Sequence, residues 1–145
     1  MIHYFSQTGN TKLLGDFLKD NINDSKTIYV GFWTDKGNAN QEALDYLKTL
    51  HHQKIFLFGT AGFGKSEEYF KRIINKVKES IDSTNEVVGS FMCQGKMLDS
   101  VLQRYLSLKE SDKAPKNIDL LIENYYEALN HPNEEDLENL KKAII

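Results

Sequence analysis

The chain has 145 residues, of which 40% are hydrophobic and 27% charged, and its formal net charge is -3 at pH 7. This length and mix indicate one ordinary globular domain with enough apolar material for a shared core, and they exclude a disordered chain. The mild negative charge with interspersed signs argues against a nucleic-acid partner, and the absence of a long apolar run argues against a membrane span.

The amino-terminal residues and the cysteine content both favour a cytoplasmic protein. Met1 to Phe5 run directly into a polar segment, without the basic stretch and apolar core of a secretory signal. Cys93 is the only cysteine, so the chain has no internal disulfide and no cysteine-based zinc site. We therefore expect reducing surroundings and no metal centre.

Strand and helix patterns alternate through the first two thirds of the chain. Amphipathic patterns around Leu14, Leu44 and Ile73 predict three helices. The alternation indicates an α/β domain with a parallel sheet, because parallel neighbours require long crossover connections. The predicted strands are the short apolar segments Ile2 to Phe5, Thr27 to Phe32, Lys54 to Phe58 and Glu86 to Met92.

The pattern after the fourth strand is wholly helical. It predicts helices over Met97 to Leu108, Ile118 to Leu129 and Glu134 to Ile144. We expect residues 98–145 to be a helical extension of one domain that spans residues 1–145.

The loop after the first strand has the composition of an anion-binding site. The segment Ser6 to Thr11 combines hydroxyls, amides and a glycine immediately before a predicted helix. Free N–H groups and the helix dipole favour negative charge there, and Gly9 lets the backbone approach closely. The same composition also fits a helix start whose polar side chains only cap the helix.

The segment Tyr4 to Thr11 closely resembles the phosphate-binding loop of flavodoxins, whose pattern after the first strand is Ser/Thr-x-Thr-Gly-Asn-Thr. This resemblance implies a flavodoxin-like three-layer sandwich with a mainly parallel sheet of four strands and an added helical C-terminus. It also implies flavin mononucleotide (FMN) as the cofactor. The cofactor-binding residues implied in this loop are Ser6, Gln7, Thr8, Gly9, Asn10 and Thr11.

Two further loops resemble those that hold the flavin ring in the same family. Trp33 is the stacking candidate in the first, although a large residue filling the core at a strand end fits equally well. Phe63 offers an apolar wall in the second, or packs inward at a Gly-rich turn. The implied residues are Phe32, Trp33, Thr34, Asp35, Lys36 and Gly37, followed by Gly59, Thr60, Ala61, Gly62, Phe63 and Gly64.

The second of these loops also fits a nucleotide-binding P-loop pattern. Gly59 to Ser66 reads Gly-x4-Gly-Lys-Ser between a strand and a helix. Lys65 would then reach the phosphates and Ser66 would coordinate magnesium. Against this alternative, no apolar strand ends in the Asp expected to help position that ion, and only one strand follows the motif.

The sequence departs from the flavodoxin pattern after the first helix. Only Asp20 to Lys26 separate that helix from Thr27, so the usual second strand is missing. The first helix must then move to the face shared by the other helices, or the first crossover must be left-handed, against the usual rule. In a third alternative, a partner replaces the lost strand.

The resemblance implies an electron carrier rather than a stand-alone enzyme. FMN would perform the redox chemistry, and no catalytic side chain is required. We expect a reductase and an electron acceptor as partners. Assembly as a homodimer and a role as one component of a flavin-dependent reductase system are further expectations. The alternative from another class is a flavodoxin-fold interaction protein that has lost its cofactor, as the missing strand suggests.

Overall fold

A computed structural model describes residues 1–64 and 66–144. The elements are β1 (Ile2–Tyr4), α1 (Asn10–Asn21), β2 (Thr27–Asp35), β3 (Asn38–Ala39), α2 (Gln41–Lys48), β4 (Lys54–Ala61), α3 (Glu67–Lys78), β5 (Glu86–Gln94), α4 (Asp99–Lys109), α5 (Ile118–Ala128) and α6 (Glu134–Ala143). The predicted α/β class is confirmed, with every predicted strand and helix present. Among the described residues, no helix has the length and apolar character needed to cross a membrane.

Four parallel strands form the sheet in the order β1-β2-β4-β5. The fifth strand, β3, was not predicted; it has two residues and pairs antiparallel with the end of β2. A tight turn joins these two strands, with positive φ angles of 52° at Lys36 and 80° at Gly37. Strands β2 and β4 extend beyond their predicted ends at Phe32 and Phe58, since Trp33 of β2 pairs with Thr60 of β4.

Helices cover both faces of the sheet and produce three layers. On one face, Val30, Phe32 and Leu57 pack with the apolar sides of α2 and α3. On the other face, Tyr29 and Phe58 pack with residues of α1 and α6. The alternation of strand side chains between the two faces places each set in its own core.

The first crossover is left-handed. Both β1-α1-β2 and β2-α2-β4 step in the same direction across the sheet, but α1 and α2 lie on opposite faces. Two such crossovers must have opposite hands. The second shares its face and direction with β4-α3-β5 and takes the usual right hand, so the first is the exception. Of the alternatives raised by the missing strand, the structure therefore has the left-handed crossover, and α1 lies on the face opposite α2 and α3.

Helices α4 and α5 form a hairpin between β5 and α6. Leu102 and Tyr105 of α4 pack against Ile118 and Tyr125 of α5 in a separate apolar cluster. The hairpin begins at the carboxyl end of β5, so it starts at the edge where all four parallel strands end. It therefore lies next to the loops singled out by the sequence.

Replacing Gly31 with alanine should destabilise the fold. A Cβ at Gly31 would lie 2.4 Å from Cε2 of Phe58 and 2.9 Å from Cγ2 of Thr11. Because both neighbours are fully buried, we expect Gly31→Ala to lower the free energy of unfolding by about 1–3 kcal/mol in urea titrations. Asn23→Ala, at an exposed position, is the control. An unchanged urea midpoint for Gly31→Ala would contradict this packing.

Candidate functional site

A cavity of about 120 Å³ lies at the carboxyl edge of the sheet. Open parallel sheets place their ligands at this edge. The loops after β1 and β5 and the ends of β2 and β4 all contribute to the wall. The lining residues are Gln7, Thr8, Asn10, Trp33, Thr34, Thr60, Ala61, Gly62, Gly95, Lys96, Met97, Leu98 and Val101.

The loop after β1 leaves two backbone donors unpaired at the start of α1. Gly9, with φ 88°, precedes the first residue of α1, and the Ser6 hydroxyl accepts the N–H groups of Gly9 at 3.1 Å and Lys12 at 3.3 Å. Within residues 1–64 and 66–144, the N–H groups of Asn10 and Thr11 have no acceptor. They are the free donors of a first helical turn, which favours an anion there.

The side chains of the same loop bind a backbone carbonyl. Nδ2 of Asn10 donates to the Lys96 carbonyl at 2.8 Å, and the Thr8 hydroxyl donates to it at 3.3 Å. The Gly95 N–H in turn donates to the Ala61 carbonyl at 2.9 Å. The segment that leads into α4 is thus tied to two of the three predicted loops.

Thr11 supports the floor of the cavity without lining it. Its fully buried hydroxyl donates to the Phe32 carbonyl at 3.1 Å and lies 3.2 Å from the Thr60 hydroxyl. Because the Thr11 hydrogen is engaged with Phe32, the Thr60 hydroxyl can donate to Thr11 or to a group in the cavity. Thr60 is therefore a usable donor on the floor.

The end of β2 supplies an aromatic wall and an unpaired hydroxyl. Asn40 holds the Trp33 backbone in place. Its Oδ1 accepts the Trp33 backbone N–H at 3.2 Å, and its backbone N–H donates to the Trp33 carbonyl at 2.9 Å. The buried Thr34 Oγ1 has no hydrogen-bond partner among the described residues. A buried hydroxyl without a partner is costly, so it suits a ligand that accepts a hydrogen bond.

Some of the predicted site residues lie away from the cavity lining. Phe32 is fully buried in the core, and Gly59 lies in β4 against the Phe32 ring. The turn formed by Asp35, Lys36 and Gly37 is exposed. Ser6, Gly9 and Thr11 act from behind the lining residues, through the bonds and turn described above.

Phe63 and Gly64 face a different groove. Phe63 is 41% exposed and shares this groove with Tyr69 and Arg72 of α3. In this structure Phe63 neither packs inward nor lines the cavity. The part of the second predicted loop that lines the cavity consists of Thr60, Ala61 and Gly62.

The segment after β5 contributes a wall that was not predicted from the sequence. Met97, Leu98 and Val101 close one side of the cavity. The carboxyl end of β5 was expected at this edge. The position of α4 beside the cavity depends on tertiary packing, which the local sequence pattern does not reveal. The apolar residues Met97, Leu98 and Val101, shortly after Gly95, were the sequence feature that could have indicated this wall.

The geometry argues against a P-loop at Gly59 to Ser66. Gly59, Thr60 and Ala61 are strand residues, with β2 and β5 on either side of β4, so they do not form a loop around phosphates. The Ser66 hydroxyl accepts the Tyr69 N–H as the cap of α3. Lys65 lies outside the described residues.

Cys93 lies away from the candidate site. It is 4% exposed and borders a separate cavity with His131 and Asp136. Burial, together with the charge of Asp136, raises the pKa of the Cys93 thiol well above its usual value. The thiol is therefore protonated at neutral pH and poorly nucleophilic.

Comparisons with known proteins identify a family. The model of the family described as Flavodoxin domain matches residues 16–145, which begins after the Ser6 to Thr11 loop. The flavodoxin-like domain-containing protein BilS of Clostridium symbiosum is 39% identical over 127 residues, covering 84% of this chain and 67% of that protein. The flavodoxin-like domain-containing protein BilS of Clostridioides difficile is 30% identical over 156 residues, covering 94% of this chain and 89% of that protein.

The Cys93 thiol should react with Ellman's reagent only when the protein opens. Its burial and raised pKa both suppress the thiolate that attacks the reagent, so labelling at pH 8 should be far slower in native protein than in urea. Absorbance at 412 nm follows the reaction. Labelling of native protein as fast as of unfolded protein would contradict the described position of Cys93.

Proposed function

We propose that this chain, which belongs to the flavodoxin family, binds FMN at the carboxyl edge of its sheet and transfers electrons through it. The observation that carries this proposal is the pair of unpaired N–H groups of Asn10 and Thr11, beside a cavity to which the three predicted loops contribute. These donors suit the phosphate group of FMN.

The donors at the start of α1 and on the floor of the cavity fit a phosphate group. They are the backbone N–H groups of Asn10 and Thr11 and the hydroxyls of Thr8 and Thr60. The Thr8 hydroxyl would have to exchange the Lys96 carbonyl for a phosphate oxygen. Hydrogen bonds to a charged acceptor are stronger than bonds to a neutral carbonyl, so this exchange is favourable.

The ring of FMN requires more room than the cavity encloses. Ligand pockets usually measure roughly 300–1,000 Å³, whereas this cavity measures about 120 Å³. The cavity has room for the phosphate end of FMN. Binding of the ring requires the side chains of Trp33, Met97 and Leu98 at the wall to move apart.

Bound FMN would supply one- or two-electron chemistry, and the chain would orient the cofactor and tune its environment. Trp33 and Leu98 offer apolar surfaces, and the unpaired Thr34 hydroxyl offers a hydrogen bond to a polar edge of the ring. The described lining contains no carboxylate, histidine or cysteine that would act as an acid, base or nucleophile. This composition favours an electron carrier over a stand-alone enzyme.

A carrier of this kind needs a reductase and an electron acceptor, which we propose as its partners. The single, buried cysteine suits the reducing cytoplasm, which is the compartment we propose. A homodimer is a further proposal, because the outer edge of β1 is free of strands in the described sheet and exposed edges invite pairing.

One observation favours a flavodoxin-fold interaction protein without a cofactor as the second candidate function. The Lys96 carbonyl takes the side-chain hydrogen bonds of Thr8 and Asn10, so part of the candidate phosphate site is already satisfied by the chain itself. In that function the α4–α5 hairpin would permanently seal the site.

Purified protein reconstituted with FMN should be yellow, and denaturation should release FMN. Because the phosphate contacts are specific to FMN, riboflavin should bind at least tenfold more weakly, as expected for the loss of even one hydrogen bond to a charged group. Isothermal titration calorimetry measures both affinities. Colourless protein that binds neither compound would refute the carrier and favour the second candidate function.

Thr8→Val should weaken FMN binding by about tenfold or more and leave riboflavin binding unchanged, because the lost hydroxyl serves only the phosphate. Thr49→Val, at an exposed hydroxyl just after α2, is the matched control. Equal losses for FMN and riboflavin would place Thr8 against the ring instead.

Trp33→Ala should weaken FMN and riboflavin binding together, because an aromatic wall contacts the ring that both compounds share. Trp33 is the only tryptophan, so its fluorescence in the unsubstituted chain should also be quenched as FMN binds. The control Tyr126→Ala removes an aromatic side chain that is half exposed on α5. Unquenched Trp33 fluorescence at saturating FMN would contradict the stacking role.

A further inference from the structure

The carbonyl of Gly62 is held by two side-chain amides from outside its own loop. Nε2 of Gln94 donates to it at 2.9 Å, and Nδ2 of Asn124 donates to it at 3.0 Å. Nε2 of Gln94 also donates to Oδ1 of Asn124 at 3.1 Å, which closes a triangle of hydrogen bonds. Gln94 ends β5, whereas Asn124 lies in α5, so the triangle connects the hairpin to the candidate site.

This triangle fixes the orientation of a peptide group at the cavity. The Gly62–Phe63 peptide unit is planar, so the Phe63 N–H points to the side opposite the Gly62 carbonyl. It therefore points away from the two amides. Within the described part of the chain, this N–H has no acceptor.

Close packing holds the same segment from both sides. A Cβ at Gly62 would lie 2.7 Å from Sδ of Met97, and a Cβ at Gly64 would lie 2.4 Å from Cβ of Gln94. A side chain at Gly64 would meet the base of Gln94, whereas a side chain at Gly62 would meet the flexible side chain of Met97, so the loop backbone lies directly against the start of the hairpin and the end of β5. Gln94 is buried, with 4% exposure, and Asn124 is half-buried.

We propose that Asn124 and Gln94 are positioning residues of the FMN site, which hold the Gly62 peptide so that the Phe63 N–H is available to the ring. This inference rests on the proposed function. It makes the α4–α5 hairpin a working part of the site, because α5 contributes Asn124. The relevant ligand group is a hydrogen-bond acceptor on the polar edge of the flavin.

Asn124→Asp tests the proposal with little change in size. The variant keeps an oxygen for Gln94 but replaces the donor to Gly62 with a carboxylate oxygen, which repels the carbonyl. We expect hydrogen exchange at the Phe63 and Gly64 amides of ligand-free protein to accelerate about tenfold. We also expect the Kd for FMN to rise about tenfold and the midpoint potential of bound FMN to fall, as for one lost hydrogen bond.

Asn124→Ser removes the amide without placing a charge there, and it serves if Asn124→Asp does not fold. We expect the same three changes, each smaller. Asn117→Asp, at an exposed position just before α5, repeats the chemical change away from the triangle and should leave all three measurements unaltered. Urea titration of every variant separates a local effect from a loss of overall stability.

The outcomes separate this inference from the proposed function. If the unsubstituted chain binds FMN and both Asn124 variants match it in affinity, potential and exchange, the positioning role is wrong and the proposed function stands. If Asn117→Asp causes the same changes, the positioning role is also wrong. If the unsubstituted chain binds no FMN, both proposals fail together.

Discussion

The buried hydroxyl of Thr11 is the interaction on which the geometry of the candidate site depends. It donates to the carbonyl at Phe32 near the end of β2 and contacts Thr60 near the end of β4, so it fixes the first turn of α1 over two central strands. Because Thr11 is fully buried, leaving its hydroxyl without a hydrogen bond would be costly. The position of the free N–H groups of Asn10 and Thr11 follows from this anchor.

The anchor also explains how the chain tolerates an unusual crossover. Right-handed crossovers are favoured by the twist of the strands, and loss of the usual second strand makes β1-α1-β2 left-handed here. Moving α1 to the other face would restore the usual hand. It would also remove Leu14 and Leu18 from their core with Tyr29 and Phe58, and would break the Thr11 contacts. The packing of α1 outweighs the preference for handedness.

The sequence predicted the elements well because they depend on local periodicity, and it predicted the site less completely because its walls come from distant segments. The apolar stripes of α1, α2 and α3 were sufficient to place those helices. The contacts from Lys96 and Asn124 were not predictable, since no periodicity relates them to Asn10 or Gly62. The groove that Phe63 faces was not predictable either, because a single aromatic in a Gly-rich loop does not indicate its direction.

The α4–α5 hairpin has two opposing effects on a ligand at this edge. Its first residues fill space and occupy the side-chain donors of Thr8 and Asn10, which opposes binding. Its Asn124 holds the Gly62 peptide in one orientation, which favours binding by removing the cost of ordering that loop. The observed affinity must then equal the intrinsic affinity reduced by the fraction of molecules in which the first residues have moved aside. Under the proposed function, a change that draws Met97 and Leu98 away from the cavity without disturbing Asn124 would therefore increase the affinity for FMN.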